Sequence, residues 1–295
     1  MAHLFEGSAT AMVTPFNADG TVNYTALDEM IEFQIANGTK ALFVCVTTGE
    51  SPALSEEAHF ALIKHTVDKV NHRVKVIAGA GSNLTSHAID LAKGAEALGV
   101  DGLLVVTPYY NKTTQKGLVK HYTAIAESTS LPIILYSVAG RTGINISVAT
   151  CKELAKIPNI VAIKEASGDM SQIAQIAAEC CDENFCIYSG NDDQTLPMLS
   201  LGGKGVISVL SNIMPKAVND ICEKFFEGDV AGSREIFLST LDLANKLFIE
   251  TNPIPVKAAC NLMGMNAGPT IAPLYEMEEK NLEILKDAMK VHNLI

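Results

Sequence analysis

Nowhere does this sequence run through the roughly 18 consecutive apolar residues that a membrane-spanning helix needs, and its first residues lack the basic segment and apolar core of an export signal. A cytoplasmic chain without a transmembrane helix is therefore expected. Basic residues are scarce, with 22 Lys and Arg against 33 Asp and Glu and a formal net charge of −11. Nucleic acid and anionic membrane both demand a basic face, so neither is expected as a partner. Acidic ligands must instead be met by individual Lys and Arg side chains or backbone N–H groups. Seven cysteines, an odd number without a Cys-x-x-Cys pair, argue against a disulfide framework and are expected to be reduced and mostly buried. The seven histidines are scattered, without His-Glu-x-x-His or a Cys/His cluster, so no metal ligands are expected. His59, His65, His72 and His121 read as helix-surface residues. Gly79-Ala80-Gly81 lacks the third glycine of a dinucleotide fingerprint, no Gly-Lys-Ser/Thr loop occurs, and Gly202-Gly203-Lys204-Gly205 precedes a strand rather than a helix. No phosphate site and no cofactor are expected.

What the chain does hold is apolar material, 48% hydrophobic residues against 19% charged, enough for a large core. Short runs rich in Val and Ile recur at 8–13, 41–46, 75–80, 102–107, 132–137, 160–165, 185–189 and 205–209. Helical periodicity fills the gaps at 25–37, 55–70, 86–98, 115–128, 147–156 and 170–180. Strand spacings of about 20 to 35 residues leave room for one right-handed crossover helix each, which fits a closed barrel or a doubly wound sheet. Eight units favour the barrel, so the predicted fold is α/β, a (β/α)8 TIM barrel. Beyond residue 227 strand signals stop, and helical patterns at 232–250, 256–263 and 276–291 predict a C-terminal helical extension. The predicted division is a catalytic barrel over 1–227 and an extension over 228–295, with the two prolines in 251–255 breaking helices within it.

Barrel chemistry sits where strands end and the following loops begin. Those positions hold Thr47-Thr48-Gly49-Glu50-Ser51, Thr107-Pro108-Tyr109-Tyr110-Asn111, Tyr136 with Arg141-Thr142-Gly143, Lys164, and Ser189-Gly190-Asn191-Asp192. In Ile160-Val161-Ala162-Ile163-Lys164 a lysine interrupts an apolar strand, and strand alternation sets it on one face with Ala162 and Ile160. If that face is the barrel interior, burial lowers the lysine pKa and leaves free amine to attack a carbonyl. A lysine reaching solvent or pairing with a carboxylate is the competing reading, and the strand pattern leaves both open. Tyr136 fits a proton carrier or a core tyrosine, Thr47-Thr48-Gly49 a carboxylate-binding turn, and Arg141 a carboxylate fork or a surface ion pair.

Together these runs, with Ile163-Lys164-Glu165-Ala166-Ser167-Gly168 and Gly205-Val206-Ile207-Ser208, resemble the dihydrodipicolinate synthase family in order and spacing over nearly the whole chain. That resemblance implies a lyase in which Lys164 forms an imine with pyruvate. The enamine then attacks L-aspartate 4-semialdehyde, and cyclisation gives 4-hydroxy-tetrahydrodipicolinate, a step of the diaminopimelate route to lysine. It also implies that Tyr136, Thr48 and Tyr110 form a proton relay, Tyr110 entering from a neighbouring subunit of a tight dimer within a homotetramer. Thr47 and Thr48 would hold the pyruvate carboxylate and Arg141 that of the semialdehyde, while Gly190 and Ile207 line the lysine. No metal or organic cofactor is implied.

Two departures from the family pattern stand out. Ser137-Val138-Ala139-Gly140 replaces the usual Asn, Pro and Ser before the arginine, which is expected to loosen that loop. At the family's lysine-feedback site Ser51, His59, Asn83 and Tyr109 match, but Glu56 stands where a basic residue or histidine is common and His87 where a glutamate is. Weak lysine inhibition is expected. The nearest rivals, N-acetylneuraminate lyase and 2-keto-3-deoxy-sugar-acid aldolases, share Lys164, Tyr136 and the Thr48-Gly49-Glu50 turn. Sialic acid lyases usually carry an apolar residue at the place of Arg141 and Ser at that of Thr47.

Overall fold

A parallel strand covered on both faces buries every side chain along it, and the Val- and Ile-rich runs form such strands. In the structure, a computed structural model that describes residues 3–295, they are β1 (Gly7–Ala11), β2 (Ala41–Val44), β3 (Lys75–Gly79), β4 (Gly102–Val106), β5 (Ile133–Ser137), β6 (Ile160–Glu165), β7 (Cys186–Ser189) and β8 (Gly205–Ser208). Each pairs in parallel with the next, and β8 pairs with β1 to close the barrel. The expected strands are all present, and their ends differ from expectation by no more than two residues. Among the described residues no helix is long and apolar enough to cross a membrane.

Side chains alternate between two apolar layers. Leu42, Val44, Leu103, Val105, Leu135 and Ile163 face the helices, and Ala9, Ala11, Ala41, Phe43, Ile134 and Ala162 fill the barrel. The small inward alanines leave room for an aromatic plug at the N-terminal end. There Phe5 stacks on Tyr188 at 4.2 Å between ring centroids and meets Phe43 edge-on at 5.9 Å. Tyr188 donates its phenol proton to the Phe5 carbonyl at 2.6 Å, so this end is sealed and its polar atoms are paired. Access to the barrel interior is left to the opposite end.

Strand alternation fails at one place. Ile133 pairs with Ile160 but Ile134 with Ala162, so β6 carries one extra residue against β5. At that bulge Ile160 turns outward into the helix layer, while Val161 packs against the barrel interior and Ala162 keeps the inward face of Lys164.

Side-chain caps start several helices: Ser55 accepts from Ala58 N, Thr114 from Gly117 N, and Ser147 from Thr150 N. Besides the four-residue helix Ala139–Thr142, two helices escaped the sequence pattern, Thr195–Ser200 and Pro215–Phe226. The second had a signal, a proline at its first position followed by Val218, Ile221 and Cys222 on one buried face. Val230–Lys246, Ile254–Leu262 and Glu279–Val291 complete the C-terminal region.

His59 and His121 are not surface residues, at 4% and 5% exposed. Helical period puts His59 on one face with Leu62 and Ile63, and His121 with Leu118, Tyr122 and Ile125, so both rings turn inward. Burial pulls both imidazoles down to about 4, which keeps them neutral at pH 7. His65 does stay near the surface, paired with Asp28 at 2.7 Å. All seven cysteines are unpaired, and six are buried.

Candidate active site

At the open end, β5 and β6 bring Tyr136 and Lys164 side by side as register partners. Lys164 is 4% exposed, and its Nζ lies 4.4 Å from the centroid of the Tyr136 ring. Loss of water around the ammonium pulls this amine down to about 7; the Asp192 carboxylate opposes the shift and the Arg141 charge adds to it. Asp192 acts on Lys164 through its field, being itself held by Ser208 Oγ and by Val209 N and Leu210 N at 2.9 and 3.0 Å. No carboxylate among the described residues forms an ion pair with Lys164, which weakens the ion-pair reading. A buried lysine amine that is substantially unprotonated near neutral pH is a nucleophile for carbonyl carbon.

Gly190 follows β7 beside this amine. A Cβ added there would stand 2.7 Å from Ala166 Cβ and 3.1 Å from Lys164 Cε, so a larger residue would strike the lysine stem. Ile207 on β8 is fully buried in the barrel interior. Thr47–Gly49 forms one tight helical turn after β2, ended by Glu50 in the left-handed region at φ 54°. Thr14 Oγ1 donates to Gly49 O at 2.8 Å from below. Burial pushes the Tyr136 phenol up, while the Arg141 charge and the neighbouring Thr47 side chain pull it back. The hydroxyl beside Tyr136 is thus that of Thr47. Thr48 Oγ1 accepts instead from Asn252 Nδ2 at 3.1 Å.

Arg141 rides on the short helix Ala139–Thr142, and its Nη2 donates to the Asn252 carbonyl at 3.0 Å. Local hydrogen bonds hold this segment. Val138 O accepts from Arg141 N and Thr142 N, and Thr107 Oγ1 donates to Thr142 Oγ1 at 3.0 Å, which closes the turn without proline or serine. Tyr110 stands apart from the cluster within one chain, 93% exposed and at φ 67°. A cavity of about 570 Å³ runs from Thr47, Tyr136 and Arg141 to Ser51, His59 and Tyr109. Across it His87 Nε2 faces Glu56 Oε2 at 3.8 Å.

Three polar groups next to these residues drew no role from the sequence. Asp192 was visible at the end of β7 without a partner to explain it. Asn252 and Lys257 lie in what reads as a helix break and a helical appendage, and nothing local marks them as neighbours of Thr48, Arg141 and Glu50.

Residues 4–292 match the dihydrodipicolinate synthetase family. The chain is 54% identical over 292 residues to 4-hydroxy-tetrahydrodipicolinate synthase of Acetivibrio thermocellus, covering 99% of both chains. It is 53% identical to the enzyme of that name from Clostridium perfringens strain SM101, covering 99% of this chain and 100% of that one. Among solved structures, dihydrodipicolinate synthase from Aquifex aeolicus superposes with a TM-score of 0.96 at 46% identity, over 98% of this chain and 99% of that one.

Proposed function

This chain belongs to the dihydrodipicolinate synthetase family, and from that premise we propose how its residues divide the work of the reaction. The activity is that of a 4-hydroxy-tetrahydrodipicolinate synthase, a lyase of the aldolase type condensing pyruvate with L-aspartate 4-semialdehyde on the diaminopimelate route to lysine. The observation that carries the residue assignment is the buried Lys164 amine, drawn down to about 7 and lying against the Tyr136 ring.

Lys164 adds to the pyruvate ketone, water leaves, and an iminium forms between Nζ and C2. Loss of a methyl proton gives the enamine, whose carbon attacks the aldehyde carbon of the semialdehyde. A proton reaches the new alkoxide. The substrate amino group then closes on C2 and expels Lys164, giving the cyclic product, with one water released overall. Tyr136 carries protons in these steps, and Thr47, which lines the same cavity beside it, is the hydroxyl best sited to pass them on. Thr47 and Thr48 hold the pyruvate carboxylate, and Gly190 and Ile207 shape the wall around Lys164. Arg141 forks onto the semialdehyde carboxylate. That arginine also favours this reading over a sialic acid lyase.

Tyr110 completes the relay in a neighbouring copy. Its near-complete exposure, on a loop joined to that of the 59% exposed Leu84 by the Asn111 Nδ2 to Asn83 O hydrogen bond at 2.9 Å, supports a dimer in which the partner subunit's Tyr110 enters the site. Two such dimers form a homotetramer, and sedimentation of the purified chain at the monomer mass would remove this part.

The reaction is tested by incubating the chain with pyruvate and each aldehyde in turn and analysing products by mass spectrometry. L-aspartate 4-semialdehyde should give the cyclic adduct and N-acetylmannosamine none. Sialic acid formed from N-acetylmannosamine would instead select the rival reading.

A further inference from the structure

We propose that Asn252 and Lys257, carried by the C-terminal helical region rather than by the barrel, are positioning residues that set the geometry of the two substrate-carboxylate sites. The inference rests on the roles given above to Thr47, Thr48 and Arg141.

Asn252 is 4% exposed and touches both sites. Its Nδ2 donates to Thr48 Oγ1 at 3.1 Å, and its main-chain carbonyl accepts from Arg141 Nη2 at 3.0 Å. A threonine hydroxyl has one proton and two lone pairs. With a lone pair taken by Nδ2, the Thr48 proton is left to donate, which is what a bound carboxylate requires. Arg141 is a long side chain on a helix of four residues. Anchoring one of its nitrogens on a fixed carbonyl leaves the rest of the guanidinium fork presented in one orientation.

Stability alone does not account for Asn252. Its Oδ1 is buried without a hydrogen-bond partner among the described residues, an arrangement that a small apolar residue would avoid. What the carboxamide contributes lies at its other end, on Thr48.

Lys257 holds the far end of the same turn. Its Nζ donates to Glu50 Oε1 at 2.8 Å and to Pro269 O at 2.6 Å, and lies 4.2 Å from the centroid of the Phe16 ring. Glu50 Oε2 accepts from Ile271 N at 2.7 Å, so both oxygens of its carboxylate are bound by residues beyond 250. Glu50 is the left-handed residue that closes Thr47–Gly49, a conformation costly for a residue with a Cβ and held here by a fully buried ion pair. The turn is therefore pinned twice from outside the barrel, at Thr48 and at Glu50.

Steady-state kinetics of Asn252→Ala, Asn252→Asp and the double variant Glu50→Met/Lys257→Met test this, together with borohydride labelling and melting temperature. Asn252→Ala should raise KM for pyruvate about tenfold, the worth of one hydrogen bond near its upper range, with kcat within about threefold and Lys164 still labelled at saturating pyruvate. Asn252→Asp should be worse, because an acceptor captures the Thr48 proton and sets a negative charge beside Arg141. KM for the semialdehyde should then rise as well. The double variant leaves no orphaned charge in the core and frees only the part-buried Pro269 O and Ile271 N, so its melting temperature should fall by no more than about 5 °C while KM for pyruvate rises at least about threefold, and it carries the test if Asn252→Ala does not fold. Equal KM values, within about twofold of wild type in all three, overturn the inference. So does a fall in kcat that tracks lost thermal stability with KM unchanged, the mark of a merely structural role. If pyruvate and borohydride do not label Lys164 in the wild type, the reading of the site fails and takes this inference with it.

Discussion

The two ends of the barrel are built to opposite rules. At the N-terminal end Phe5, Phe43 and Tyr188 fill the space left by small alanines, and the Tyr188 phenol is paired. At the C-terminal end an unpaired amine is buried, a carboxamide oxygen lacks a partner, and non-glycine residues take left-handed backbone at Cys45, Glu50 and Tyr110. One end collects what stabilises a core, and the other tolerates what destabilises it. A buried amine drawn down to about 7 marks the end where chemistry is done. The contrast predicts that substitutions at the mouth act on rate and those at the floor act on stability.

The largest effect should come from Lys164→Ala, which removes the nucleophile and should lower kcat/KM by on the order of 10⁴-fold or more. Its melting temperature should equal or exceed that of wild type, since the cost of burying an amine disappears with it. A lower melting temperature would break the contrast between the two ends. Tyr136→Phe should lower kcat by about 10²- to 10³-fold with pyruvate labelling retained, as expected for a proton carrier. Phe5→Ala probes the floor: calorimetry should show a loss of about 3–5 kcal/mol, while KM for both substrates stays within about twofold.

A smaller effect is the pH dependence of kcat/KM for pyruvate. Only the free amine attacks, and its folded-state pKa is lowered by burial to about 7. The rate constant should therefore be level above that pH and fall about tenfold per unit below it. A profile flat down to pH 5 would mean that Lys164 does not titrate in the working range. The smallest effect concerns the outer part of the cavity, where His87 Nε2 and Glu56 Oε2 face each other at 3.8 Å. Millimolar L-lysine should change turnover by less than about twofold.

The barrel was legible in the sequence because eight apolar runs alternate with helical periods, a rhythm that local patterns carry. Lys164 and Tyr136 stood out because polar groups ending apolar strands break that rhythm. The outward turn of Ile160 was not readable, since a bulge depends on pairing with β5 and not on the run itself. His59 and His121 were misread by residue type when helical period already placed them among buried neighbours. The partners of Thr48, Arg141 and Glu50 lay some 100 to 200 residues away in sequence, where only tertiary structure brings them together. Thr47 and Thr48 were adjacent candidates, and distinguishing their hydroxyls required knowing which faces Tyr136 and which faces Asn252.

The central claim, that the buried amine of Lys164 is the group that captures pyruvate, is tested most directly by reducing the wild-type protein with borohydride in the presence of pyruvate and mapping the product by peptide mass spectrometry. One carboxyethyl group per chain on Lys164, absent from Lys164→Ala, is the predicted result. No adduct, or an adduct on another lysine, would contradict it.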